Sequence, residues 1–388
     1  MKKILLGSTA LVAAGVIAGG AAQAEDQPIA VTVGGYYHSA LAIIDQDSDD
    51  GEFADQTNSI AFGQDLEIRV GGSATFDNGL TAGFVANIEG TESGDDSDTL
   101  DERFVFFRGN FGQFRVGADE SARQQFTNFA PGGSGIFGVN TPFFIFGDPG
   151  NAAGIFNVTT YDDVLGSEDS LKLVYFSPSF NGFEFALSYA PSDEGQSQYG
   201  RNARSGLNWD ATNTGVGTLL DQMSAAVAYA NDFGDFNVRV MGGYETYNLD
   251  KCSTTAGSQN CEDSPESWQF GGTVGFGKVS VGGGYLIRDL VVNDSAGSGR
   301  EREDWDVGVA YWDAMWGVGL QYGSVNQDSL TAGQEQTFDI IALNGTYILG
   351  PGVSVQAQID FGNFEDDAPG PNTDNEFVEF MIGSSLSF

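Results

Sequence analysis

Basic side chains are scarce in this sequence: 16 Lys+Arg stand against 54 Asp+Glu, and histidine occurs once, at His38. A formal charge of −38 repels phosphate backbones and excludes nucleic acid as a partner. A single imidazole, with no serine or carboxylate in a recognisable motif beside it, leaves nucleophilic or acid–base catalysis without its usual parts, so no enzyme activity is expected. Cysteine is almost missing as well. Cys252 and Cys261 share one polar segment and read as a local disulfide pinning a loop, because two thiols without nearby histidines do not complete a zinc shell. Beyond residue 24 no apolar run approaches the roughly 20 residues that a membrane helix requires, which excludes a helical membrane protein. The glycine strings that look like GxGxxG have no helix pattern after them and bind no nucleotide.

What the chain does hold is 55 glycines, 30 phenylalanines and 13 tyrosines, which is the opposite of a disordered acidic polymer. Residues 1–24 read as a secretory signal peptide: Lys2 and Lys3, an apolar and small-residue stretch, then Ala22-Gln23-Ala24 as the cleavage site. Residues 25–388 then carry 14 Lys+Arg against 54 Asp+Glu, a formal −40. Such a surface attracts cations.

The organising pattern after the leader is a strand of about ten residues with one apolar face, followed by a turn. In residues 60–76, Ile60, Phe62, Leu66, Ile68 and Val70 alternate with Asp65, Glu67 and Arg69. Asp77-Asn78-Gly79 is a hairpin signal, after which Leu80, Ala82, Phe84 and Ala86 resume the apolar face. Equivalent segments continue along the chain and give sixteen strands, an even number as single-chain outer-membrane barrels require. The fold class is therefore all-β: a 16-stranded antiparallel transmembrane β-barrel, apolar outside and polar inside. His38, Arg239, Glu245, Arg288, Asp306, Gln321, Gln356, Gln358 and Asp360 are expected on the inward face. In 102–110 the run Phe104-Val105-Phe106-Phe107 does not say which face is which. Short turns would face the periplasm and long acidic loops outward. The acidic runs (Asp45, Asp47, Asp49, Asp50, Glu52, Asp55; Glu92, Asp95, Asp96, Asp98, Asp101) read as solvated loop, or as hard oxygen ligands for Ca²⁺ or Mg²⁺ bridging to lipopolysaccharide. None has EF-hand spacing, so no metal ligands are assigned.

The last strand places Val378, Phe380, Ile382, Ser384, Leu386 and Phe388 on one face. It resembles the C-terminal strand of outer-membrane barrels, in which the terminal aromatic, here Phe388, is part of the membrane-insertion signal read by the barrel-assembly machinery. Two further segments carry a closer likeness. Gly109-Asn110-Phe111-Gly112-Gln113-Phe114-Arg115-Val116-Gly117 and Tyr175-Phe176-Ser177-Pro178-Ser179-Phe180-Asn181-Gly182-Phe183 resemble the general bacterial porin family, in particular its alphaproteobacterial trimeric members. The resemblance spans the chain. It implies a homotrimer in outer-membrane lipid, and a third loop, about 119–169, that folds into the lumen and narrows it. That loop is rich in Phe126, Phe129, Ile136, Phe137 and the run 143–146, so the inner wall would be its packing surface.

The resemblance also implies a transverse field between loop carboxylates and wall cations. Loop candidates are Asp148, Asp162 and Asp163, with Glu168 and Asp169 at its end; wall candidates are Arg69, Arg103, Arg115 and Lys172, with Arg108 as an alternative to Arg103. Val174 and Phe176 stand where arginine would be expected, which weakens the field. With the acidic balance, this predicts a cation-preferring channel for small hydrophilic solutes and ions. A substrate-selective channel on the same fold, and a calcium-dependent surface or adhesion barrel without transport, are the alternatives.

Overall fold

A strand with an apolar side chain at every second residue has one oily face, and in hydrocarbon its backbone groups are all satisfied only if the sheet closes. The computed structural model has that closure. It describes residues 29–46, 58–90, 100–140, 146–147, 158–160, 170–192, 218–250, 264–290, 300–329, 333–367 and 374–388. The sixteen strands are β1 (Ala30–Gln46), β2 (Ile60–Thr75), β3 (Thr81–Glu89), β4 (Arg103–Gly109), β5 (Gly112–Ala118), β6 (Leu171–Phe176), β7 (Phe183–Ser192) and β8 (Thr218–Phe233). They continue as β9 (Phe236–Asp250), β10 (Glu266–Phe276), β11 (Val279–Leu290), β12 (Arg300–Trp312), β13 (Trp316–Asp328), β14 (Glu335–Gly350), β15 (Val353–Asp366) and β16 (Asp374–Ser387). Each pairs antiparallel with its sequence neighbours, and β1 pairs with β16 to close the ring. The seam ends at Phe388, whose N–H and C=O exchange 3.0 Å hydrogen bonds with Gly35.

The outward face follows the alternation. Phe62 is 79% exposed, and Phe276, Leu343 and Phe380 are likewise bare. Aromatic side chains form two bands. Tyr244 and Trp268 touch (4.4 Å between ring centres) towards the long-loop end, as do Trp305 and Tyr322 (5.0 Å). Phe183 and Tyr229 (4.6 Å) and Tyr311 and Trp316 (5.2 Å) mark the short-turn end. Trp268 and Phe276 lie eight residues apart on β10. That is about 27 Å along the strand, which a tilt of ~40° shortens to roughly 21 Å, a height that suits the apolar band of an outer-membrane barrel.

Connections alternate in length as the sequence predicts. The first short turn uses Gly79 at φ 82°, with Gly79 N–H donating to Phe76 O (2.8 Å) and Leu80 N–H to Asn78 Oδ1 (3.0 Å). The ambiguous strand β4 is settled by its neighbours: Phe104 and Phe106 are buried on the inward side, and Val105 and Phe107 face out. The expectation of an inward face of polar or small residues needs correction where large apolar side chains stand. Three inward patches are apolar: Val325, Phe338, Ile340, Ala342, Phe364 and Phe377; Ala40, Ala42, Ile44 and Met381; and Ala186, Ala226, Ala228 and Met241. Their reason lies in the third loop. Residues 1–24, Cys252 and Cys261 lie outside the described residues, as do most of the acidic runs. Among the described residues no group of three or more His, Cys, Asp or Glu is placed to hold a metal ion.

Candidate pore constriction

The third long connection leaves β5 at Asp119 and returns to β6 at Ser170. Its short helix α1 (Ala122–Gln125) is capped by Ser121, and its backbone is met by the wall: Ala122 N–H donates to Ser188 Oγ and Arg123 N–H to Ser224 Oγ, both at 2.9 Å. From there the loop tracks the inner wall strand by strand. Ala130 N–H reaches Asp306 Oδ1 on β12 (2.7 Å), Gly133 N–H reaches Asn344 Oδ1 on β14 (2.6 Å), and Gly135 N–H reaches Gln356 Oε1 on β15 (2.7 Å). Phe146 and Gly147 N–H donate to Glu379 Oε2 on β16 (3.2 and 3.1 Å). Returning, Thr159 N–H meets Asp304 Oδ1 (2.9 Å) and Thr160 Oγ1 meets Asp306 Oδ2 (2.5 Å).

Between these anchors the loop's apolar side chains sit on the three patches. Val139 and Val158 join the first, Ile136, Phe137 and Phe146 the second, and Ala122 and Phe126 the third. Phe126 and Phe137 therefore stay dry as the sequence anticipates; Phe143, Phe144, Ile145, Ile155 and Phe156 lie outside the described residues. Close approach requires a missing side chain on the wall: a Cβ on Gly319 would collide with Gly133 N, and one on Gly271 with Asn128 O.

The candidate wall cations of the constriction lie on β2, β5 and β6, while Arg288 on β11 and Arg302 on β12 are buried against Asp304. Arg69 donates from Nε to Asn87 Oδ1 (2.8 Å), and its Nη2 lies 3.3 Å from Glu67 and 3.7 Å from Glu102. Asn87 Nδ2 donates in turn to Glu102. Arg115 is held 3.2 Å from Asp119 and stacks between the rings of Phe104 (4.8 Å) and Phe176 (4.6 Å). Lys172 Nζ donates to the Asp119 carbonyl. Val174 and Phe176 follow Lys172 on the inward face of β6, so the aromatic in an arginine's place becomes a platform for Arg115.

Two arginines fall elsewhere. Arg103 pairs with Ala86 and Ala118, on the outward parity of β4, and donates to the carbonyls of Leu100 (2.6 Å) and Asp101 (3.2 Å). The structure thus removes Arg103 from the pore wall, because Phe104 and Phe106 take the inward positions. Arg108 has inward parity but sits at the short-turn end beside the Phe106 ring (6.0 Å). Asp148, Asp162, Asp163, Glu168 and Asp169 lie outside the described residues.

Sequence reasoning missed the carboxylates that complete this wall. Glu102, the residue before β4, and Asp119, four residues after Arg115, both enter it; the i, i+4 spacing to Arg115 was the available signal for Asp119. Burial, reinforced by Glu120 and Asp119, pushes the Glu102 carboxyl well above the ordinary glutamate range, against the pull of Arg69. Burial raises Asp119 as well, opposed by Arg115 and Lys172. Also missed was Arg123, fully buried, with Nη1 donating to Gln269 Oε1 (3.2 Å) and Nε 3.9 Å from Glu245.

Comparison with known proteins follows the geometry. The family model described as Gram-negative porin matches residues 7–367. The chain is similar in fold to an anion-selective porin from Comamonas acidovorans (17% identity, TM-score 0.61, 93% of this chain and 100% of that one). It is similar also to the outer membrane channel DcaP of Acinetobacter baumannii (12%, TM-score 0.60, 94% and 99%). A third likeness is to the trimer form of OmpT, an outer membrane protein of Vibrio cholerae (15%, TM-score 0.58, 93% and 100%). No curated protein sequence matches the chain. At these identities the solved structures speak to fold alone, while the family model spans most of the sequence. The chain belongs to the Gram-negative porin family, and its barrel is a bacterial outer-membrane channel for solute diffusion.

Proposed function

We propose that this channel passes small hydrophilic solutes and ions with a preference for cations, and that it works as a homotrimer seated among outer-membrane lipid and lipopolysaccharide after delivery by the barrel-assembly machinery. The carrying observation is the wall around Arg69. Glu67, Glu102, Asp119 and Glu120 outnumber Arg69, Arg115 and Lys172 there, and the whole chain carries −38. A partly dry wall with an excess of carboxylates concentrates cations and repels anions. The same fold serves an anion-selective porin in Comamonas acidovorans, so the sign of selectivity belongs to the lining charges. The trimeric reading is supported by the trimer form of the Vibrio cholerae protein.

Reversal potential in a salt gradient across a planar bilayer tests ion preference, and stepwise conductance in multiples of three tests assembly. Cation-directed reversal is the expected result; an anion-directed one rejects the preference. A second reading, a substrate-selective channel, draws on Arg115 clamped between Phe104 and Phe176, a surface on which a planar solute can stack. Block of ion current by a particular solute at low concentration would favour it.

A further inference from the structure

A guanidinium carries its N–H donors in a rigid fork, and an edge of that fork left without an acceptor on a half-dry wall attracts an incoming carboxylate. Arg69 on β2 has such an edge. It lies between Ile68 and Val70, which face lipid, so its side chain enters the lumen, where it is 19% exposed. Its Nε is taken by Asn87 Oδ1 (2.8 Å), and its Nη2 lies 3.3 Å from Glu67 and 3.7 Å from Glu102. Its Nη1 meets no acceptor among the described residues. The neighbouring cations are placed differently. Arg115 donates from Nη1 to Asp119 and Gln125 and lies between two phenyl rings, while Lys172 is buried against the Asp119 carbonyl.

The carboxylates beside Arg69 exceed what one guanidinium neutralises. Glu67 and Glu102 flank it, and Glu89 stands across from Glu67 in the β2–β3 register. Both flanking groups are held in place. Tyr36, opposite Glu67 in the β1–β2 register, hydrogen-bonds to its carboxylate, and Asn87 Nδ2 donates to Glu102. The described anchors of the third loop run from β7 to β16, on the rest of the ring, so Arg69 is left facing the water path. An open donor edge thus sits beside fixed acceptor oxygens in surplus. A solute with only a negative charge is repelled by the glutamates, and one with only a positive charge leaves the Nη1 edge unused. A solute with both charges close together satisfies both halves.

We infer that Arg69, Glu67 and Glu102 form a binding site for small zwitterions of the α-amino acid type, which carry an ammonium and a carboxylate on one carbon. The carboxylate is received by Arg69 Nη1 and the ammonium by Glu67 and Glu102. The inference rests on the ion-path reading of this wall given above and adds the class of solute it retains. Block of single-channel current in planar bilayers tests it, with glycine, ethanolamine and acetate as probes at neutral pH. Glycine should block at the lowest concentration, ethanolamine at a higher one, and acetate not at all. Arg69→Gln should weaken the glycine block about tenfold, the loss of one charge-assisted hydrogen bond, without weakening that by ethanolamine. Glu67→Gln should weaken both, and Arg103→Ala, outside the site, neither. Open-channel conductance shows in the same recordings that each variant has folded. No block by glycine, equal block by glycine and ethanolamine, or a glycine block that Arg69→Gln leaves intact overturns the site. If the reversal potential is still cation-directed then, the ion-path reading stands without it; an anion-directed potential overturns both.

Discussion

Two stretches of the same inner wall use carboxylates in opposite ways. From β12 to β16, Asp306 and Glu379 accept hydrogen bonds from the backbone and side chains of the third loop, between apolar patches that keep the contact dry, and Asp304 does the same while also paired with the buried Arg302 (2.7 Å). From β2 to β6, Glu67, Glu102 and Asp119 instead hold guanidinium groups partly open to the lumen. One stretch fastens the loop and the other sets the charge a solute meets. Charge alone therefore does not identify a constriction residue. What decides is whether the carboxylate's partner is a neutral loop amide or a cation facing water.

The fastening half should break hardest. Asp306 accepts from Ala130 N–H and Gly284 N–H (2.7 Å each) and from Thr160 and Asn140 (2.5 Å each). Asp306→Ala strands four donors, each worth about 1–3 kcal/mol when left unsatisfied. Loop detachment is expected, seen as larger and noisier single-channel conductance in a barrel that still shows heat-modifiable mobility. Unchanged conductance would place the narrowing elsewhere.

The charge-setting half should respond in selectivity rather than in size. Arg69→Gln removes one positive charge from the wall. At ~6 Å from a passing ion in a water-like dielectric this is worth about 0.7 kcal/mol for each ion, with opposite signs for cations and anions, or roughly tenfold in the cation-to-anion permeability ratio. An unmoved reversal potential would take Arg69 out of the ion path. Smaller again is a pH effect at Glu102. Because burial and neighbouring carboxylates raise its pKa, it gains a proton before an ordinary glutamate does as pH falls. One negative charge is then lost above the normal carboxylate range. Cation preference should decline as Glu102 takes up its proton, and Glu102→Gln should flatten the decline; a mutant that still follows the wild-type profile takes the step away from Glu102 and points to Asp119, whose carboxyl burial also raises. Least of all should Arg103→Ala matter, since Arg103 leans on loop carbonyls from the outward side. A selectivity shift as large as that of Arg69→Gln would return it to the wall.

Strand parity was legible wherever hydrocarbon imposes it. Arg69 reads inward because Ile68 and Val70 must face lipid, and the same rule places His38, Asp306 and Gln356. It fails at Phe104-Val105-Phe106-Phe107, where apolar residues occupy both faces. There an inward aromatic is useful as packing for Arg115, so alternation vanishes. It fails again at Phe338 and Phe364, which look misplaced in a polar interior until the loop that covers them is in view.

By itself the sequence determined the barrel, its strand count and its lipid-facing residues, since membrane hydrocarbon tests each side chain locally, one strand position at a time. Only the tertiary structure decided which wall carboxylates grip the third loop, that Arg103 turns away from the lumen, and that Glu102 joins Glu67 beside Arg69. Those outcomes depend on how the strands pair and close the ring, from β1 to β16, and no local pattern encodes contacts whose partners lie far apart in the chain.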